Sequence, residues 1–126
     1  GLALGFAIAR METAVIGVQV TPAIVANRIR VRHLVARTAR LIERTTGERV
    51  PRVPARLVGI ADNAYGGAYG RAVPEAVAAA RELYEHDGIM LDQTYSAKAF
   101  AVARELAGGA PGTTLFWNTF DARLLA

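Results

Sequence analysis

The sequence predicts an α/β domain on a mostly parallel sheet, and three features carry that prediction. Apolar, β-branched runs alternate along the chain with segments of helical period. Two of the helical segments are punctuated as helices should be, with proline at the start and glycine just past the end. Hydrophobic residues make up 52% of the chain and charged residues 21%, a globular composition rather than a disordered one. The 126 residues have the size of one domain, enough for a two-layer or three-layer core. The expected architecture is a parallel-sheet sandwich with helices on both faces.

The elements follow in order. Residues 2–10, GLALGFAIAR without its first glycine, predict a buried helix, and TAVIGVQV (13–20) a buried strand of β-branched residues. A long helix should follow, with Thr21 as N-cap, Pro22 at the first helical position and Gly47 as the stop. On a helical wheel Ile24, Val31, Leu34, Val35, Leu41 and Ile42 share one side, and Arg30, His33, Arg37, Arg40 and Arg44 the other. GERVPRVPAR is the one candidate for an irregular connection. RLVGIAD (56–62) is a short strand that runs into a glycine-rich loop, NAYGGAYG. VPEAVAAARELYEHDG gives a helix opened by Pro74 and closed by Gly88. A helix over about 93–107, a strand TTLFWN (113–118) and a short terminal helix complete the chain.

Composition narrows the function classes. There is no cysteine, which excludes disulfides and thiolate catalysis within the chain and fits a reducing cytoplasm. His33 and His86 are too few and too far apart to suggest a metal site. No apolar run approaches the roughly 18 residues that span a bilayer. The net charge of +4 permits nucleic-acid binding. The basic helix nevertheless carries no aromatic for base stacking, so a solvated arginine face is the better reading and nucleic acid a distant alternative. The chain starts inside a wholly apolar helical turn with no capping residue, and is expected to be a piece of something longer.

In a parallel α/β sheet, ligands lie outside the carboxyl ends of the strands. That singles out the loops after residue 20, at 62–72 and after 117. Tyr65 and Tyr69 flank YGGAYG in the second loop, where the glycines permit close backbone approach, and a loop tyrosine can donate or accept a proton. The bland alternative is a surface loop whose tyrosines pack on a neighbouring helix. A second candidate is GIMLDQTYSAKAF, where Asp92 can cap the helix that follows and leave Tyr95 and Ser96 in its first turn. Tyr95 shares a wheel face with Ala99, Val102 and Leu106, expected to pack inward. Lys98, the only lysine, lies off that face near Glu105 and is expected to lean toward solvent.

Together, DNAYGGAYGRAVPEA, EHDGIMLDQTYSAKAFAVARELAGG and TTLFWNT resemble the C-terminal part of the D-cysteine desulfhydrase and 1-aminocyclopropane-1-carboxylate deaminase family. These are pyridoxal-phosphate enzymes of the tryptophan-synthase-β-like class, fold type II. The resemblance runs from GLALGFAIAR to the end, so residues 1–126 would be the C-terminal part of the cofactor-binding domain. It implies that the Schiff-base lysine lies in a part not contained in this chain, that Lys98 is not that lysine, and that the chain alone is inactive. It also implies a homodimer acting on a small amino acid.

By position, the resemblance gives Tyr69 and Tyr95 as active-site tyrosines facing the substrate. Ser96 falls beside the pyridine nitrogen, where one branch has threonine and the deaminase branch glutamate, and Thr119 matches a threonine near the same nitrogen. The serine tilts the expectation toward β-elimination of D-cysteine to pyruvate, ammonia and sulfide. Ring opening of the deaminase type, or a catalytically impaired binding paralogue, are the alternatives. The chain departs from the family pattern at Gln93, at Ala97 and in the element Thr119-Phe120-Asp121, where the family has glycines after the threonine.

Overall fold

The computed structural model describes residues 1–109 and 111–119. The expected terminal helix, and the Phe120 and Asp121 departures, lie outside these residues. The elements run α1 (Leu2–Ile8), β1 (Val15–Val18), α2 (Arg28–Thr46), a 3-10 turn (Ala55–Leu57), β2 (Val58–Ala61), α3 (Pro74–Asp87) and α4 (Ser96–Gly109). The fold is mixed α/β, and β1 pairs in parallel with β2 in a two-stranded sheet. The chain divides into two compact units, residues 1–17 with 23–61, and residues 18–22 with the chain from 62 onward.

In the first unit the long helix starts later than Thr21-Pro22 suggested. Asn27 is its N-cap: the side-chain oxygen accepts from the Arg30 amide at 3.0 Å, while its Nδ2 donates to the Ala23 carbonyl at 2.8 Å. Those two bonds round residues 21–27 into a turn and leave Thr21 outside the helix. The stop falls where expected, with Gly47 left-handed at φ 74° and its amide bonded to the Glu43 carbonyl. Glu43 also accepts from the Val50 amide at 3.1 Å, which reverses the chain into the irregular GERVPRVPAR stretch. No residue of α2 is buried, and Leu34 and Leu41 are exposed although the wheel put them on the packing face. The half-buried stripe is Val31, Val35, Ala39 and Ile42. The predicted burial of α1 and β1 is also only partial: Leu4 alone is buried in α1, and Ile16 of β1 is exposed.

The second unit holds the tighter core. Pro74 opens α3 and Gly88 closes it in the left-handed conformation. Ala76 and Ala80 of α3 meet Ala97 of α4 and Leu91, with Val73, Leu83, Phe100, Ala101 and Phe116 packed around them. Alanines let two helices approach closely, and Phe100 and Phe116 fill the edge with ring centroids 5.2 Å apart. Residues 113–118 form no strand. Phe116 packs on the α3–α4 core instead, so its apolar character serves side-chain contact rather than a ladder. Among the described residues no helix is long and apolar enough to cross a membrane.

Candidate functional site

The amino end of α4 is organised by one carboxylate. Asp92 Oδ1 accepts from the amides of Thr94 at 2.9 Å and Tyr95 at 2.8 Å, and Oδ2 accepts from the Ser96 amide at 2.9 Å. The Ser96 hydroxyl donates to the same Oδ2, and its oxygen accepts from the Asp92 amide at 3.2 Å. Burial pushes the Asp92 carboxyl up, but the hydrogen bonds from Ser96, Tyr95 and Thr94 outweigh it and hold the group below the usual carboxylate range. With its proton committed to Asp92, the Ser96 hydroxyl has acceptor capacity to offer a ligand.

Tyr95 leaves this cap on the exposed side, and the expected inward face is displaced by about one residue. Ala97, Lys98 and Val102 are buried, whereas Tyr95 and Leu106 are exposed. Across from Tyr95 lies the 62–73 loop. Gly66 takes φ 70°, and a Cβ there would meet Val73 Cγ1 at 2.6 Å, so this turn excludes any side chain. The loop delivers Tyr69 to Tyr95: the two hydroxyls are hydrogen-bonded, and the rings meet edge to face with centroids 6.1 Å apart. The hydrogen bond with Tyr69, followed by burial and by repulsion from Tyr69 and Asp92, raises the Tyr95 phenol above its ordinary value. Tyr95 is thereby kept as a proton donor rather than a phenolate base.

A cavity of about 160 Å³ opens beside this pair, and its walls include Val18, Val20, Tyr95, Ser96, Trp117 and Thr119. Its volume is below the roughly 300–1,000 Å³ of a whole small-molecule site, so it is the size of part of one. Tyr95, Ser96 and Thr119 thus share one cavity, and Tyr69 joins it through the Tyr95 hydroxyl. Of the three loops singled out by the sequence, the one after residue 117 lines the cavity and the 62–72 loop reaches it through Tyr69, whereas the first contributes only Val20 at its start.

Lys98 is the correction. It is fully buried, not turned to solvent, and its Nζ donates to the Tyr65 carbonyl at 3.2 Å. A larger groove of about 680 Å³, which also touches Glu75, Arg104 and Glu105, has Lys98 in its wall, away from the Tyr95–Ser96 cavity. The sequence signal that could have found it is Val102, one helical turn further on and on the same face. Asp92, expected only as a cap, also fixes the Ser96 hydroxyl; its position four residues before the serine was the available sign.

No family model matches the chain. It is similar to the Pyrococcus abyssi (strain GE5 / Orsay) protein named "Putative 1-aminocyclopropane-1-carboxylate deaminase", with 33% identity over 122 residues. The match covers 94% of this chain and 34% of the relative. The chain therefore spans about a third of the length of a protein to which it is distantly and partially related.

Proposed function

We propose that this chain is part of a pyridoxal-phosphate-dependent lyase or deaminase of the tryptophan-synthase-β-like class, acting on a small amino acid. The observation that carries the reading is that Tyr95, hydrogen-bonded to Tyr69, lines one cavity with Ser96 and Thr119. The name of the Pyrococcus relative supports the same class.

The residues fit the ring of that cofactor. Apolar and aromatic side chains suit a flat heterocycle, and a buried hydroxyl backed by a carboxylate suits its nitrogen edge. When bound, the cofactor supplies an electron sink for charge that develops next to the amino nitrogen of the substrate. Ser96 would hold the nitrogen edge of the ring through its oxygen, which Asp92 keeps in place. Thr119 closes the cavity with a second hydroxyl. Tyr95 holds a proton at its hydroxyl, and Tyr69 relays or replaces it, so the pair can serve the reacting carbon or the carboxylate of the substrate. The intact protein is a cytoplasmic homodimer in this reading, and the chain alone has no turnover.

Among substrates, D-cysteine leads because Ser96 is a neutral hydroxyl where the deaminase branch of the resembled family has glutamate. The reaction takes D-cysteine and water to pyruvate, ammonia and hydrogen sulfide. The relative's name favours a second reading, ring opening of 1-aminocyclopropane-1-carboxylate. Assays of the intact protein for sulfide and pyruvate from the first substrate, and for 2-oxobutanoate and ammonia from the second, separate them. Tyr69→Phe and Tyr95→Phe should each lower kcat by about 10²- to 10⁴-fold. No turnover of any small amino acid despite bound cofactor would sink the enzyme reading in favour of a binding paralogue. Borohydride reduction in the presence of pyridoxal phosphate should leave Lys98 unmodified, and stoichiometric labelling there would reverse its assignment.

A further inference from the structure

The one lysine of the chain lies on α4 and is, among the described residues, the largest fully buried side chain. A residue type that is almost never fully buried without a partner calls for a physical reason. Its hydrogen bond reaches a backbone carbonyl 33 residues away, that of Tyr65 in the 62–73 loop.

Beyond the buried Ala64, the loop has little of its own to hold it. Gly66, Gly67 and Gly70 all take positive φ, and the loop's own backbone hydrogen bond runs from the Arg71 amide to the Ala68 carbonyl at 3.3 Å. Its other ties go to α4. Asn63 Nδ2 donates to Glu105 Oε2 at 3.3 Å, Lys98 Nζ donates to the Tyr65 carbonyl at 3.2 Å, and the Tyr69 hydroxyl meets that of Tyr95. The first and last of these are exposed. The Lys98 bond is part-buried and its donor is fully enclosed, so water competes for it less and the enclosed ammonium is costly to leave unpaired. Gly66, Gly67 and Ala68 are all that separate the Tyr65 carbonyl from Tyr69, and none has a side chain that could anchor the loop.

We propose that Lys98 is a positioning residue: by holding the Tyr65 carbonyl from inside α4, it fixes the loop where Tyr69 can reach the Tyr95 hydroxyl. The proposal deepens the functional reading above, because it takes these two tyrosines as the working pair. The geometric part stands without turnover and is tested without it. Tyrosinate absorbance of the intact protein is titrated, with Tyr95→Phe used to identify the Tyr95 step. In Lys98→Met that step should fall toward the ordinary tyrosine value near 10. Amide exchange at Arg71, the loop amide that has a backbone acceptor, should speed up about tenfold. Protection of α3 should not change. Lys98→Arg, which keeps donors at similar reach, should restore both signals.

If the enzyme reading holds, Lys98→Met should also lower kcat about ten- to a hundredfold. The accompanying change in KM should stay within about twofold, as expected for a loss felt only in the transition state. Absence of turnover in the wild-type protein would defeat the enzyme reading and leave the titration and exchange results to decide the positioning role. An unchanged Tyr95 step and unchanged loop exchange in a folded Lys98→Met protein would overturn the proposal. Loss of α3 protection together with that of the loop, in both variants, would overturn it too, since Lys98 would then support the fold at large.

Discussion

Two helices of the chain, α2 and α4, use their sequences in opposite ways. The α2 helix has 19 residues, a regular stripe of large aliphatic side chains and a matching arginine face, yet none of its residues is buried. The α4 helix has 14 residues and few large side chains, yet it buries Ser96, Ala97, Lys98 and Val102. Amphipathic pattern measures what a helix could bury, and burial depends on what is placed against it. On α4 the small residues allow α3 to come close, and the polar residues at its amino end are buried because each has a specific partner.

This contrast can be broken at its strongest point by crowding the α3–α4 contact. Ala97→Leu adds volume where there is no exposure at all, beside Ala76, and should destabilise the intact protein by about 1–3 kcal/mol in denaturant melts. A neutral outcome would mean that the two helices are less tightly packed than their burial shows.

Next in size is the cap. Asp92→Ala removes the acceptor of three amides and a hydroxyl and should cost about 1–2 kcal/mol. The folded carboxyl is held below its unfolded value, so its contribution is fully present above roughly pH 4 and fades as pH falls through the lowered folded value. In melts from neutral to acid pH, that part of the acid loss should be missing in Asp92→Asn. A variant that keeps the wild-type acid slope would show that other carboxylates carry it.

The smallest effects belong on α2. Leu34→Ala and Leu41→Ala, both at exposed positions, should each change stability by no more than about 0.5 kcal/mol. A loss well above this in the intact protein would sharpen the comparison differently, since another part of the molecule would then have to cover that stripe.

Local punctuation was the most legible layer of the sequence. Pro74, Gly88 and Gly47 mark helix ends through φ preferences that act within a few residues. The start of α2 is ambiguous in the sequence because Thr21-Pro22 and Asn27 are both good openings, and only the Asn27 side-chain bonds choose between them. TTLFWN carries strand-like residues, but strand formation needs a neighbour, and Phe116 finds a helix pair instead. Within the site, the resemblance pointed to Tyr69 and Tyr95 together, and their hydroxyls do meet across 26 residues of sequence. The burial of Lys98 is not legible on a helical wheel, which knows only its own helix, whereas the Tyr65 carbonyl that receives the lysine comes from a loop far back in the chain.

That buried lysine also makes a built-in reporter. An endoproteinase that cuts only after lysine has a single target bond in this sequence, Lys98–Ala99. With the side chain wholly enclosed, the bond is cleavable only when α4 opens, so the rate of that one cut follows the population of the opened form when reclosing is fast.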